Sequence, residues 1–436
     1  MEFGLVILAA LMFAYAVASK RLSATFVTGP LLFVTAGWAT GPEGLDIIPV
    51  ATDHELIKIL LETTLVLVLF TDAMGINTSR WREEAGIPVR LLGIGLPLTL
   101  LAGWTLAFVM FGDLNVWEAG LIAIILAPTD AALGQAVVSN PRVPERIRQG
   151  LNIESGLNDG IALPIFFVFL EAAQSVESSV SIGVVANEII RQVAVATAVG
   201  ALLGWIGATI IRRASHRDWV TPGWRQLSLL ILALGAWALG DALGGSGFIS
   251  AWVGGLVVGI LLKRSFEGIQ DVAEDAGHFL TILSFFVFGS VILAPVVASM
   301  TWKVAAYALL SLTAVRIIPV VVAMLRTGLK PPSLLYLGWF GPRGLASIIL
   351  VITVLDETEI AGAGIITAIM AATVGLSVYA HGFTALWGSN RYADWYASRQ
   401  EHHAVMPEAV AVPNFSVSGR LGPRPGRDRS TTEQGA

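Results

Sequence analysis

The amino-acid sequence predicts an all-α polytopic membrane protein of about thirteen transmembrane helices, built as two inverted six-helix repeats around a crossing pair of broken helices. Three observations carry this reading. Of the 436 residues, 55% are hydrophobic and only 14% charged, with a mean hydropathy of +0.73, whereas soluble domains carry about 25% charged residues. The chain also divides into apolar lengths of about 20 residues, the thickness of a bilayer core. Finally, two of these lengths, at corresponding positions of the two halves, contain helix breakers.

The spans follow from the polar residues that separate them. They run over 3–19, 23–39, 55–75, 87–111, 116–139, 149–173, 184–211, 225–241, 244–262, 277–298, 302–325, 333–354 and 360–387. Lys20 and Arg21 divide the first from the second, and Asp46 and Asp53 the second from the third. Arg80, Arg82 and Arg90 precede or open the fourth, Asp113 the fifth, and Arg142, Arg146 and Arg148 the sixth. Glu177, then Arg212, Arg213, Arg217 and Arg225, bracket the seventh. Asp241 with Gly244-Gly245 marks either a turn or a kink between the eighth and ninth. Lys263 and Arg264, then Lys303, flank the tenth. Arg326 and Lys330 precede the twelfth, and Asp356 and Glu357 the thirteenth.

Lys and Arg fall overwhelmingly at the loops after odd-numbered spans, sixteen against only Arg191 and Lys303 after even-numbered ones. Basic loops resist translocation, so the N-terminus is expected outside and the C-terminus in the cytoplasm, with the protein in the cell (inner) membrane. Met1-Glu2 lacks a basic start, so the first span is expected to be retained. Residues 1–387 form the transmembrane domain, and 388–436, rich in Pro, Gly, Arg and Ser, are expected to be a disordered cytoplasmic tail. A net charge of −5 speaks against nucleic acid as a partner. The absence of cysteine excludes thiol catalysis and disulfides, and no motif asks for a cofactor.

Each ionised group at the bilayer centre costs at least about 2.5–3.5 kcal/mol. The interior carries Lys58, Glu62, Asp72, Asp130, Glu154, Asp159, Arg316 and Arg343. Lys58 and Glu62, four apart on one helix, read as a local ion pair. Four carboxylates then face two guanidiniums, so at least two acids must hold a mobile cation, a proton, or each in turn. Span five is broken at Pro128 and span twelve at Gly341-Pro342 and Gly344. Asp130 and Arg343 beside these breaks have the signs to neutralise one positive and one negative helix end. In span six, Ser155 and Asp159 share one face while Glu154 and Asn158 share the next, and an oxygen-only ligand set suits a hard cation.

Thr129-Asp130, the run Glu154-Ser155-Gly156-Leu157-Asn158-Asp159, Ser246-Gly247, Arg316 and Gly341-Pro342-Arg343-Gly344 together resemble the monovalent cation:proton antiporter family, of the sodium/proton exchanger type with NhaP-like bacterial members. The resemblance covers about 5–387. It implies a non-enzymatic, alternating-access exchanger of Na+, or Li+ or K+, for H+, usually a homodimer. It further implies that Asp159 holds cation and proton in turn, with Ser155, the backbone carbonyl of Thr129 and Asp72 completing a Na+ site. Glu154 would pair with Arg316, or secondarily Arg343, and Asn158 would organise the crossing. Ala131, where proline is common, and His381, where glutamine is common, depart from the pattern. Because only Asp159 would change occupant, electroneutral exchange is expected.

Two other classes compete. Gly244-Gly245-Ser246-Gly247 matches the Gly-x-Ser-Gly of rhomboid-type intramembrane serine proteases, which would need His278 or His381 within reach of Ser246. A cation channel would need a ring of charges around a repeated pore segment, whereas the acids here are single and sit on or beside broken helices.

Overall fold

In hydrocarbon every backbone N–H and C=O has to be satisfied within its own segment, so long apolar stretches fold as helices. The computed structural model describes residues 2–22, 25–47, 54–76, 86–130, 133–178, 182–262, 268–356, 360–400 and 406–409. Among them all regular structure is helical, and each expected span contains a helix or a broken one. These are α1 (Glu2–Leu22), α2 (Gly29–Thr40), α3 (His54–Gly75), α4 (Gly86–Met110), α5a (Val116–Ile125) with α5b (Gln135–Val138), α6 (Glu145–Ser178) and α7 (Ile182–His216). They continue as α8 (Pro222–Ala242), α9 (Gly247–Leu262), α10 (Asp271–Ala298), α11a (Trp302–Leu312) with α11b (Ala314–Ala323), α12a (Pro331–Trp339) with α12b (Leu345–Asp356), and α13 (Ala363–Gln400). Six of them are long and apolar enough to cross a membrane individually, and α5a, α9 and α12b are shorter apolar helices. Phe13, Leu101, Trp205 and Ile231 are exposed on the outside, a surface suited to lipid rather than water.

The helices pack in two groups. In one, α9 lies against α3, α7 and α8, and α10 against α2 and α3; in the other, α5 lies against α4 and α6, α11 against α4 and α12a, and α13 against α11a and α12b. On α9, a Cβ at Gly255 would sit 2.2 Å from the Phe70 carbonyl oxygen, and one at Gly259 would sit 2.4 Å from that of Met74. Only glycine permits this approach. The contact fixes α3 on both sides of Asp72.

The structure closes one open alternative and corrects other expectations. The boundary between spans eight and nine is a turn: Gly244 has φ +73°, and Asp241 Oδ1 accepts the Gly247 N–H at 2.7 Å. Lys58 does not form its ion pair with Glu62; it meets Asp356 at 2.6 Å, a cation at the carbonyl end of α12b, where the helix dipole favours it. Span eleven, which lacks glycine or proline near the spot, is interrupted at Thr313, with φ −109° and ψ −92°.

The tail boundary also differs. The last helix runs past 387 to Gln400, and Pro407–Ala409 packs on the body of the protein. Glu408, 1% exposed, accepts the Lys330 N–H and the Ser333 hydroxyl, both at 2.8 Å, a carboxylate at the N-terminus of α12a. Arg146 donates to the Pro407 carbonyl at 2.6 Å. Residues 401–405, 410–436 and Ala131 lie outside the described residues.

Candidate functional site

The site is built where α5 and α12 break and cross. The carbonyls that end α5a have lost their helical partners and find others across the crossing. Ser347 donates its hydroxyl to the Ile125 carbonyl at 2.7 Å. Arg343 donates from Nη1 to the Ala127 and Pro128 carbonyls at 2.9 and 3.1 Å. Its guanidinium is fully buried at the negative end of a helix.

Asp130 does the converse. Its Oδ2 accepts the Leu345 N–H at 2.9 Å, capping α12b, and its own N–H donates to the Pro342 carbonyl at 2.8 Å. A Cβ at Gly344 would lie 2.0 Å from Asp130 Oδ2, so only glycine leaves room for this cap. The two broken helices thus satisfy each other's ends with one charge of each sign.

Glu154 on α6 and Arg316 on α11b form a bidentate pair, with Oε1 to Nη1 at 2.6 Å and Oε2 to Nη2 at 2.8 Å. Both side chains are at most 3% exposed. One turn on from Glu154, the Asn158 amide donates to Thr129 Oγ1 at 2.7 Å, and the hydroxyls of Thr129 and Ser155, on the neighbouring face, lie 3.0 Å apart. The threonine of the α5 break is thereby tied to α6 by two polar contacts.

Between the two helix groups lies a cavity of about 60 Å³, lined by Asp72, Thr129, Asp130, Asp159, Glu274, His278, Thr281 and Ser347 among others. A water needs about 10–15 Å³ by this measure, so there is room for a small ion with a few waters. Asp159 Oδ1 is buried without a hydrogen-bond partner. A carboxylate oxygen left so pays a desolvation cost that a cation or a proton would relieve.

Of the four residues read as cation ligands, Asp72, Thr129 and Asp159 line this cavity; Ser155 stands behind Thr129. Glu154 with Arg316, Asn158 and Arg343 form the scaffold beneath. Sequence reasoning passed over Glu274 and Thr281, which share with His278 the face of α10 turned to the cavity. Their i, i+4, i+7 spacing was the signal available. It also passed over Glu118, 3% exposed, which closes a capping box with Asn115 and accepts the Gly362 N–H at 2.7 Å; the Asn-x-x-Glu pattern before an apolar run announces it.

The protease constellation is not assembled. Ser246 Oγ accepts the Ile249 N–H at 3.4 Å as a helix cap, and among the described residues no histidine hydrogen-bonds it. His381 is engaged elsewhere, with Nε2 at 2.8 Å from the Trp339 carbonyl at the end of α12a and Nδ1 at 3.1 Å from Ser377 Oγ. That hydroxyl in turn accepts the Arg343 N–H at 2.7 Å.

Known proteins place this architecture. The sodium proton antiporter MjNhaP1 from Methanocaldococcus jannaschii, solved at pH 8, superposes with a TM-score of 0.71 over 91% of this chain and 97% of that one, at 22% identity. The K(+)/H(+) antiporter NhaP2 of a Shewanella species is 24% identical over 259 residues, 59% of this chain and 44% of that protein. The Na(+)/H(+) antiporter NhaS2 of a Synechocystis species is 30% identical over 293 residues, 66% and 51% of the two chains. The chain spans about half the length of these two curated relatives. The family described as the transmembrane sodium/hydrogen exchanger matches residues 7–387, nearly the whole helical body, and the chain belongs to that family.

Proposed function

We propose that this protein is a secondary antiporter exchanging a monovalent cation for a proton by alternating access. The observation that carries the reading is the buried, unpartnered Asp159 Oδ1 facing a cavity sized for an ion. Asp159 binds the cation on losing its proton and releases it on regaining one, so each occupant displaces the other. Thr129 and Asp72 supply further oxygens, and Ser155 supports them through Thr129. Glu154, Arg316, Asp130 and Arg343 keep the other charges of the core paired or capped throughout the cycle. A cavity between two helix groups allows one group to move against the other and change the side to which Asp159 opens.

Sodium is our first choice of cation, with lithium and potassium as alternatives; the relatives' names include both a K(+)/H(+) and a Na(+)/H(+) antiporter. The protein would lie in the cell's inner membrane as a homodimer, N-terminus outside, the Arg-rich loops and C-terminus in the cytoplasm. The test is proton-gradient dequenching in inverted vesicles on adding each cation. Wild type should respond, and Asp159→Asn should be silent though folded. A folded Asp159→Asn that dequenches at half the wild-type rate or more would sink the assignment. Asp72→Asn should instead raise the half-saturating cation concentration while retaining turnover.

A further inference from the structure

Two helix groups that shift against each other must part some of the contacts between them, and one such contact is charged. Lys58 on α3 meets Asp356 on α12b, Nζ to Oδ2 at 2.6 Å. Each partner is tied to its own group by backbone. The close approach of Gly255 and Gly259 to the Phe70 and Met74 carbonyls holds α3 to α9. The Asp130 cap on the Leu345 N–H and the bond from the Ser347 hydroxyl to the Ile125 carbonyl hold α12b to α5. Lys58 therefore travels with α3 and α9, and Asp356 travels with the crossing. The pairs Arg142–Asp394, Arg191–Glu188 and Arg316–Glu154, by contrast, each join residues within one group.

The contact lies away from the cation site. Lys58 stands near the start of α3, and Asp356 is the last residue of α12b. At 1.5 Å per residue, Asp72 is about 21 Å further along α3 and Gly344 about 18 Å back along α12b. Glu55, Glu62 and Asp241 are close enough to Lys58 to interact with it electrostatically. Without the lysine charge, the first group would present these three acids to Asp356, and attraction at this end would turn into repulsion. The two partners are 34% and 39% exposed, so the pair has the strength of a surface ion pair. That is enough to bias an equilibrium between two arrangements by up to about fivefold, and weak enough to break in every turnover.

We infer that Lys58 and Asp356 form a latch between the two helix groups. Closed in the arrangement described here, it favours this member of the transport cycle and has to open each time α12b moves along α3. The latch deepens the alternating-access reading above and rests on it. Because the pair is remote from Asp72 and Asp159, its loss should shift the balance between arrangements and leave the cation ligands in place.

The experiment has two arms, both on the full chain, which has no cysteine of its own. In the first, spin labels on Leu56→Cys and Leu355→Cys, exposed positions beside the latch on the two groups, report the separation of the groups by pulsed electron resonance in lipid nanodiscs. Lys58→Gln should lower the ratio of short to long separations by about two- to fivefold. Lys58→Asp combined with Asp356→Lys should recover part of the ratio that either substitution alone removes, a rescue that general loss of fold would not give. An unchanged ratio in Lys58→Gln, or a swap no better than its single variants, overturns the latch. In the second arm, Lys58→Cys with Asp356→Cys is bridged by a short reducible bis-thiosulfonate, and the bridge is verified by mass. Dequenching in vesicles with sodium should be lost on bridging and regained on reduction. The same bridge between Arg142→Cys and Asp394→Cys, an ion pair within one group, should leave exchange intact. Exchange that survives the first bridge overturns the latch while the antiport reading stands. If wild type dequenches with no cation, the antiport reading fails, and the label separations still decide the latch by themselves.

Discussion

Glu154 and Arg316 meet through two parallel hydrogen bonds of 2.6 and 2.8 Å in a place where neither side chain is more than 3% exposed. Charges so buried are stable only as a pair. Glu154→Ala alone should cost about 3–5 kcal/mol by leaving a guanidinium uncompensated. Glu154→Ala combined with Arg316→Ala should cost less than the two single losses added together. Thermal unfolding in detergent measures this, and strict additivity would contradict the pairing.

Asp130 and Asp159 line the same cavity but should respond differently to amidation. Asparagine can still accept the Leu345 N–H, so Asp130→Asn should keep its fold and a substantial part of its exchange. Asp130→Ala leaves a buried donor unsatisfied, a cost of about 1–3 kcal/mol. A silent but folded Asp130→Asn would move Asp130 from the scaffold into the transport cycle.

Gly344→Ala should be more damaging than its size suggests, because the new Cβ would lie 2.0 Å from Asp130 Oδ2. The cap on α12b and the added methyl cannot occupy that space together. Loss of folded protein in fluorescence-detected chromatography is the expected outcome, and a variant with wild-type stability would mean that Asp130 can turn away without consequence.

If protons and cations compete at Asp159, exchange should fall at low pH because the carboxyl is protonated, and cation should oppose that loss. Raising sodium tenfold should therefore shift the acidic limb downward, by up to about one pH unit for strict one-for-one competition. Dequenching measured over a pH series at several sodium concentrations tests the sign. A limb that stays fixed would place pH control at a separate group, with His278 on the cavity wall the first to examine.

Exchange should be electroneutral, since Glu154 is paired, Asp130 caps a helix and Asn158 cannot ionise. In proteoliposomes with the potential clamped by potassium and valinomycin, zero flux should fall where the sodium and proton ratios match. A second proton from Asp72 would move net charge, on which the potential acts with about 2.3 kcal/mol per 100 mV. A balance point that follows the imposed potential would show that Asp72 also titrates.

The sequence by itself determined that this chain lives in a bilayer, that it is built of successive apolar helices, and that α5 and α12 break, because these depend on local properties: the length of apolar runs and the chemistry of Pro128 and Gly341-Pro342. The surplus of acids over guanidiniums was equally legible, since counting charges needs no coordinates. Which charge meets which did not follow. Lys58 found Asp356 on a distant helix rather than Glu62 one turn away, because the end of α12b offers both a carboxylate and a negative dipole. The interruption at Thr313 carries no sequence mark. Glu408 looked like part of a solvated tail until Lys330 and Ser333 were brought beside it. Above all, the face of α10 bearing Glu274 and His278 could be read as periodic but not as lining anything. A helix face acquires a neighbour only when other helices are packed against it, and that packing, driven by close backbone contacts such as those of Gly255 and Gly259, is a property of the tertiary structure alone.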